Sequence, residues 1–108
     1  MEYIGDLVYD RVLLKDDVRL VIYGNGKMGR MLFAMLENIE ILDKVDCICD
    51  AKEELWGTLY NGIPIISPEE AIREKGECHF LTVGKYAKEQ IKFLQENGIK
   101  KIHMFLEL

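Results

Sequence analysis

Four apolar residues, Leu20 to Tyr23, run into Gly24-Asn25-Gly26-Lys27-Met28-Gly29, and an apolar pattern of helical period begins at once. The spacing of the glycines is G-x-G-x-x-G. So short a continuous apolar run reads as a strand covered on both faces. Met28, Met31, Leu32, Met35, Leu36 and Ile39 then recur at steps of three and four, one stripe of a helix from about Lys27 to Asn38. A strand that turns through glycines straight into a helix leaves few options. The helix packs back on the strand, and the next strand lies parallel to the first.

The rest of the chain repeats that grammar. Lys44 to Asp50 reads as a second strand, and residues 51 to 61 as a long connection without a clean period. Ile63 to Ile66 is a third strand. Ser67 as N-cap, Pro68 at N1 and Glu70 at N3 form a capping box that opens a short helix, and Gly76 sits where it stops. Cys78 to Val83 is a fourth strand. Tyr86 to Asn97 is a helix carrying Ala87, Ile91 and Leu94 on one face, and Ile102 to Leu106 is a fifth strand. Every long helix falls between strands. The expected fold is therefore α/β, a Rossmann-like open parallel sheet of about five strands, order 3-2-1-4-5, with helices on both faces. Residues 19–108 form that domain. Residues 1–18, with Ile4, Leu7, Val8, Val12 and Leu14 unevenly spaced, read as an N-terminal arm or a short helix.

Composition narrows the function classes. The 108 residues suit one domain, and a net charge of -5 argues against a nucleic-acid partner. The late lysines (85, 88, 92, 100 and 101) are interrupted by Glu89 and Glu96, as on a solvated helix face. No apolar run reaches the ~20 residues of a membrane span. The acidic N-terminus does not resemble a signal peptide, so a cytoplasmic location is expected. Cys47, Cys49 and Cys78 have no metal-site spacing, and Cys47 and Cys49 should share one sheet face; reduced, buried thiols are expected.

In the order 3-2-1-4-5 the crevice opens at the carboxyl ends of strands one and four. That brings Gly24 to Gly29, Asp50 and Gly84 to one edge. Gly24 lets the chain turn out of the strand, Gly26 leaves the backbone bare to an approaching anion, and Gly29 lets helix and strand pack closely. The amides of residues 26 to 29 then face the crevice at the positive end of a helix dipole. That requires those amides to be unbonded within the chain and the mouth of the loop to be open. Asp50, 21 residues after Gly29, is placed to accept from ribose hydroxyls and to repel a 2′-phosphate, so NAD is favoured over NADP. Lys27 and Arg30 temper that preference. Gly84 leaves room for a ligand over the sheet. Tyr86 offers a ring for a base or sugar, or simply fills a helix-entry turn; Trp56 either covers a base or plugs the sheet edge.

No catalytic set emerges. Ser67 is explained by capping, and His79 and His103 lie within strands. Tyr23 and Lys27 have Y-x-x-x-K spacing but straddle a strand end and a loop, so they do not stand side by side on a helix.

GNGKMG, Asp50, the connector WGTLYNGIPIIS leading into PEE, and LTVGKY resemble the Rossmann-like domain of bacterial nucleotide-sugar-modifying proteins. Two branches are similar, the N-terminal region of polysaccharide-biosynthesis sugar epimerase/dehydratases and the N-terminal domain of sugar O-acyltransferases. The resemblance covers about residues 19 to 106. It implies NAD or a nucleotide-sugar held by Gly24, Asn25, Gly26, Lys27, Met28 and Gly29, with Asp50 and Gly84 nearby, in a module that is not catalytic alone. Asn25 departs from the family's usual alanine, which narrows the pocket or adds a hydrogen bond. The alternative expectation is a ligand-sensing or protein-interaction domain, as a homo-oligomer or with a partner domain. It is motivated by the N-terminal arm and by Met28, Met31 and Met35.

Overall fold

A computed structural model describes the backbone of residues 2–4, 7–9 and 11–107, and the side chains of residues 11–105. Among the described residues, eight strands form one sheet: β1 (Glu2–Ile4), β2 (Leu7–Tyr9), β3 (Leu20–Tyr23), β4 (Val45–Cys49), β5 (Leu59–Tyr60), β6 (Ile63–Ile66), β7 (His79–Val83) and β8 (Ile102–Glu107). Three helices accompany them: α1 (Lys27–Asn38), α2 (Pro68–Lys75) and α3 (Ala87–Glu96). Short 3-10 turns occupy Arg11–Leu14, Leu42–Lys44 and Glu53–Leu55. The sheet order is β1-β2-β8-β7-β3-β4-β6-β5.

Alternation along β3 divides the core. Leu20 and Ile22 pack with Ile48, Leu81 and Val83 under Leu32, Phe33 and Leu36 of α1. Val21 and Tyr23 face the other way, with Cys47, Cys49 and Phe80, under Ala71 of α2 and Leu94 of α3. The helices therefore cover both faces of a mostly parallel α/β sheet. Met28, Met31 and Met35 lie against the α1-side core, partly buried. α2 starts as its sequence dictates: Ser67 Oγ accepts from Glu70 N at 3.0 Å, with Pro68 in the first turn.

The strand count and full order correct the five-strand expectation. β3 does sit between β4 and β7, with β6 and β8 beyond them, all parallel. Three antiparallel strands add to this. β1 and β2 pair with each other, and β2 pairs with β8 through Leu7 and Val8. Thus two short segments of the expected N-terminal arm, Glu2–Ile4 and Leu7–Tyr9, are strands, and Leu7–Tyr9 finds its partner in β8, more than ninety positions away. β5, within the expected connection, pairs with β6.

At the other end of the sheet from the glycine loop, Arg19 Nε and Nη2 donate to Asp46 Oδ1 at 2.9 and 2.6 Å, with Lys75 Nζ 3.6 Å from Oδ2. Desolvation works to raise the Asp46 carboxyl, but the Arg19 hydrogen bond and the Arg19 and Lys75 charges outweigh it and hold it below the ordinary carboxylate value. A depressed folded value stabilises the fold above the unfolded one, near pH 4, and the benefit fades as pH falls through the folded one. For so exposed a network the worth is at most ~1 kcal/mol. Asp46→Asn should therefore melt below the parent by no more than about 5 °C at neutral pH, with the two converging in strong acid.

Cys47, Cys49 and Cys78 are free and buried, with the first two on the same face as expected. Burial pushes the Cys47 thiol up to about 12, and Cys49 well above its ordinary value. At mildly alkaline pH, Cys47 then carries far less thiolate than an exposed cysteine. Ellman's reagent should leave Cys47 and Cys49 untouched in the native protein and titrate all three thiols after denaturation. Rapid native labelling of either would show that this core opens readily.

Candidate functional site

β3 delivers the chain to Gly24, which adopts φ +108° and donates its N–H to Cys49 O at 2.6 Å. That bond ties the turn to the end of β4. α1 crosses directly over the turn: a Cβ on Gly29 would stand 2.0 Å from Gly24 O. Gly26 is the N-cap, extended and without a side-chain cap, and a Cβ there meets nothing within 4 Å. The first helical bond is Arg30 N to Gly26 O at 2.9 Å. The amides of Gly26, Lys27, Met28 and Gly29 have no acceptor within the described chain, as the start of an uncapped helix leaves them. Gly26 and Lys27 are exposed, Met28 is half-buried and Gly29 buried, so the loop is open at its leading residues.

Asp50 does more than the sequence suggests. Its Oδ2 accepts from Asn25 N at 2.7 Å, and its Oδ1 from Lys52 N at 2.8 Å. Both oxygens therefore hold backbone, and what remains for a ligand hydroxyl is the second acceptor site on each. Asn25 is buried; its carbonyl accepts from Arg30 Nε at 3.2 Å. Arg30 also lies 4.9 Å from the Tyr60 ring centroid, which keeps a cation beside the loop. Trp56 donates its indole N–H to Asp50 O at 2.6 Å yet stays 38% exposed. The ring is thus pinned next to Asp50 with accessible surface rather than sunk as a plug.

On the β7 side, Gly84 (φ +91°) makes room for Met28 of α1. A Cβ there would lie 3.0 Å from Met28 Cγ. Met28 is accordingly the residue that closes the loop against β7. Tyr86, the uncapped N-cap of α3, is largely exposed, with Lys85 Nζ 5.1 Å from its ring. α1 and α3 thus both begin uncapped at the ends of adjacent parallel strands. Gln90, in the first turns of α3, lies beside Gly24: its Nε2 is 3.6 Å from the position of a Cβ there. Sequence reading missed Gln90, since only the tertiary fold brings it to the loop.

Other candidates stand elsewhere. Tyr23 is buried below Asp50, and desolvation first, then the Cys49, Glu69 and Asp50 charges, raise its hydroxyl far above the ordinary value. His79 Nδ1 and His103 Nε2 are 2.8 Å apart, with the rings stacked, between β7 and β8. Among the described residues no group of three or more His, Cys, Asp or Glu is placed to hold a metal ion, and no helix is long and apolar enough to cross a membrane. A groove of about 580 Å³ between α3 and β8, lined by Ile91, Ile99, Ile102 and Met104, does not include the glycine loop.

No protein-family model matches the chain, and no curated protein matches it. A solved structure is similar, the crystal structure of RSP, a Rex-family repressor. The two are 18% identical with a TM-score of 0.60, over 86% of this chain and 46% of that one. At that identity the likeness establishes a shared α/β fold, over about half of the other protein's length.

Proposed function

We propose that this chain is a nucleotide-binding module on a Rossmann-like fold, taking NAD(H) or a nucleotide-sugar by its phosphates at Gly24 to Gly29. One observation carries the reading: four consecutive amides, Gly26 to Gly29, stand unbonded at the open N-terminus of a 12-residue helix. Phosphate oxygens supply the missing acceptors, and the helix dipole, Lys27 and Arg30 supply positive potential. Asp50 stiffens the loop and keeps acceptor capacity for a sugar hydroxyl; the exposed face of Trp56 suits a base. The resemblance of GNGKMG, WGTLYNGIPIIS and LTVGKY supports a role in sugar-nucleotide or cell-surface polysaccharide biosynthesis, with the chemistry supplied by another domain or subunit. Calorimetry with NADH, UDP-glucose and GDP-mannose tests the reading. Saturable heat with at least one of them is expected, weakening as salt rises. Silence with all three at millimolar concentration overturns it.

A further inference from the structure

Ala87, Gln90, Ile91 and Leu94 follow the spacing of one helix face, and Ala87 and Leu94 are buried in the core. Gln90 and Ile91 on that face are half-buried, so an apolar side chain would also fit at position 90. It holds an amide instead. Gln90 Oε1 is shut off from solvent and has no hydrogen-bond partner, the one buried side-chain nitrogen or oxygen among the described residues left so. Native proteins rarely leave such an atom unmet, and packing alone does not explain it. Its neighbour is the functional loop, with the carboxamide beside Gly24.

β4 and β7 flank β3, so Asp50 and Gln90 stand on opposite sides of the glycine loop. Resting on the nucleotide-binding reading, we infer that Gln90 is a specificity-determining residue. Its carboxamide oxygen takes a hydrogen bond from a hydroxyl or N–H on the half of the ligand that lies across the phosphates from Asp50. The last torsion of a glutamine side chain is broad and soft, so a small turn presents the oxygen to the crevice. A site with one polar reader on each side of an anion-binding centre fits a ligand with two polar halves joined by a pyrophosphate. A mononucleotide fills only one side.

The test uses the whole chain and four probes: NADH and UDP-glucose as two-part ligands, AMP and UMP as their one-sided counterparts. Gln90→Leu removes the acceptor, and Gln90→Met does so while keeping the unbranched shape. Both variants should bind the preferred two-part ligand about tenfold more weakly. Its one-sided counterpart should bind as it does to the parent. Melting temperatures should stay level or rise, because a buried unmet oxygen is gone. Unchanged affinity for the two-part ligand in both variants overturns the role of Gln90, as does an equal loss for both ligand classes. A parent protein that binds none of the four overturns the nucleotide reading itself and this inference with it, which separates the two failures.

Discussion

Gly29→Ala should lower the melting temperature by on the order of 10–20 °C, although it adds a single methyl group to a residue already in a helix. Alanine suits a helix interior better than glycine, so propensity alone forecasts a gain. Packing reverses the sign. The new Cβ would sit 2.0 Å from the carbonyl oxygen of Gly24 and 2.7 Å from its carbonyl carbon. Both are backbone atoms, and the turn that holds them is anchored through Gly24 N to Cys49 O. Relief requires the helix to lift from the sheet or the turn to open. Lifting drags Leu32, Phe33 and Leu36, all at most 2% exposed, out of the core. Overpacking usually costs about 1–3 kcal/mol, and a backbone clash belongs at or above the top of that range. Thermal unfolding followed by circular dichroism reads the result. A melting point within a few degrees of the parent would mean that helix and turn are not in this contact.

Local chemistry made much of this fold readable. α1 follows from an unbroken three-and-four spacing after a glycine turn, and its limits fall where that pattern begins and ends. α2 follows from Ser67, Pro68 and Glu70, with Ser67 Oγ capping Glu70 N, the serine half of the expected capping box. What escaped is what depends on partners distant in sequence. Glu2–Ile4 and Leu7–Tyr9 are three residues each, too short to show a period. The place of Leu7–Tyr9 against β8 is a contact across nearly the whole chain, and Glu2–Ile4 joins the sheet only through Leu7–Tyr9. The candidate site divides in the same way. The loop was legible as a spacing, and Asp50 as an acid at a strand end. That Asp50 clamps Asn25, that Gly84 accommodates Met28, and that Gln90 stands beside Gly24 all require the strands to be assembled first.

Gly26→Leu should have the opposite profile, a folded protein that has lost its ligand. The backbone at Gly26 is extended (φ -83°), open to any residue, and a Cβ there projects into empty space. Replacing an N-cap glycine with an aliphatic residue costs at most ~1 kcal/mol, so melting should fall by no more than about 5 °C. Binding is another matter. A leucine side chain at that point stands between an incoming phosphate and the amides of Gly26 to Gly29. Each charge-assisted hydrogen bond lost is worth about 1.5–3 kcal/mol, so obstructing two of them weakens NADH or a nucleotide-sugar by about a hundredfold or more. Calorimetry and melting curves on the same preparation separate the contributions. Two glycines three residues apart then fail differently, Gly29 because the helix needs the space and Gly26 because the guest does. If Gly26→Leu loses stability and leaves affinity untouched, the loop is a turn and nothing more. If it loses affinity alone, the bare backbone at the head of α1 is the anion seat.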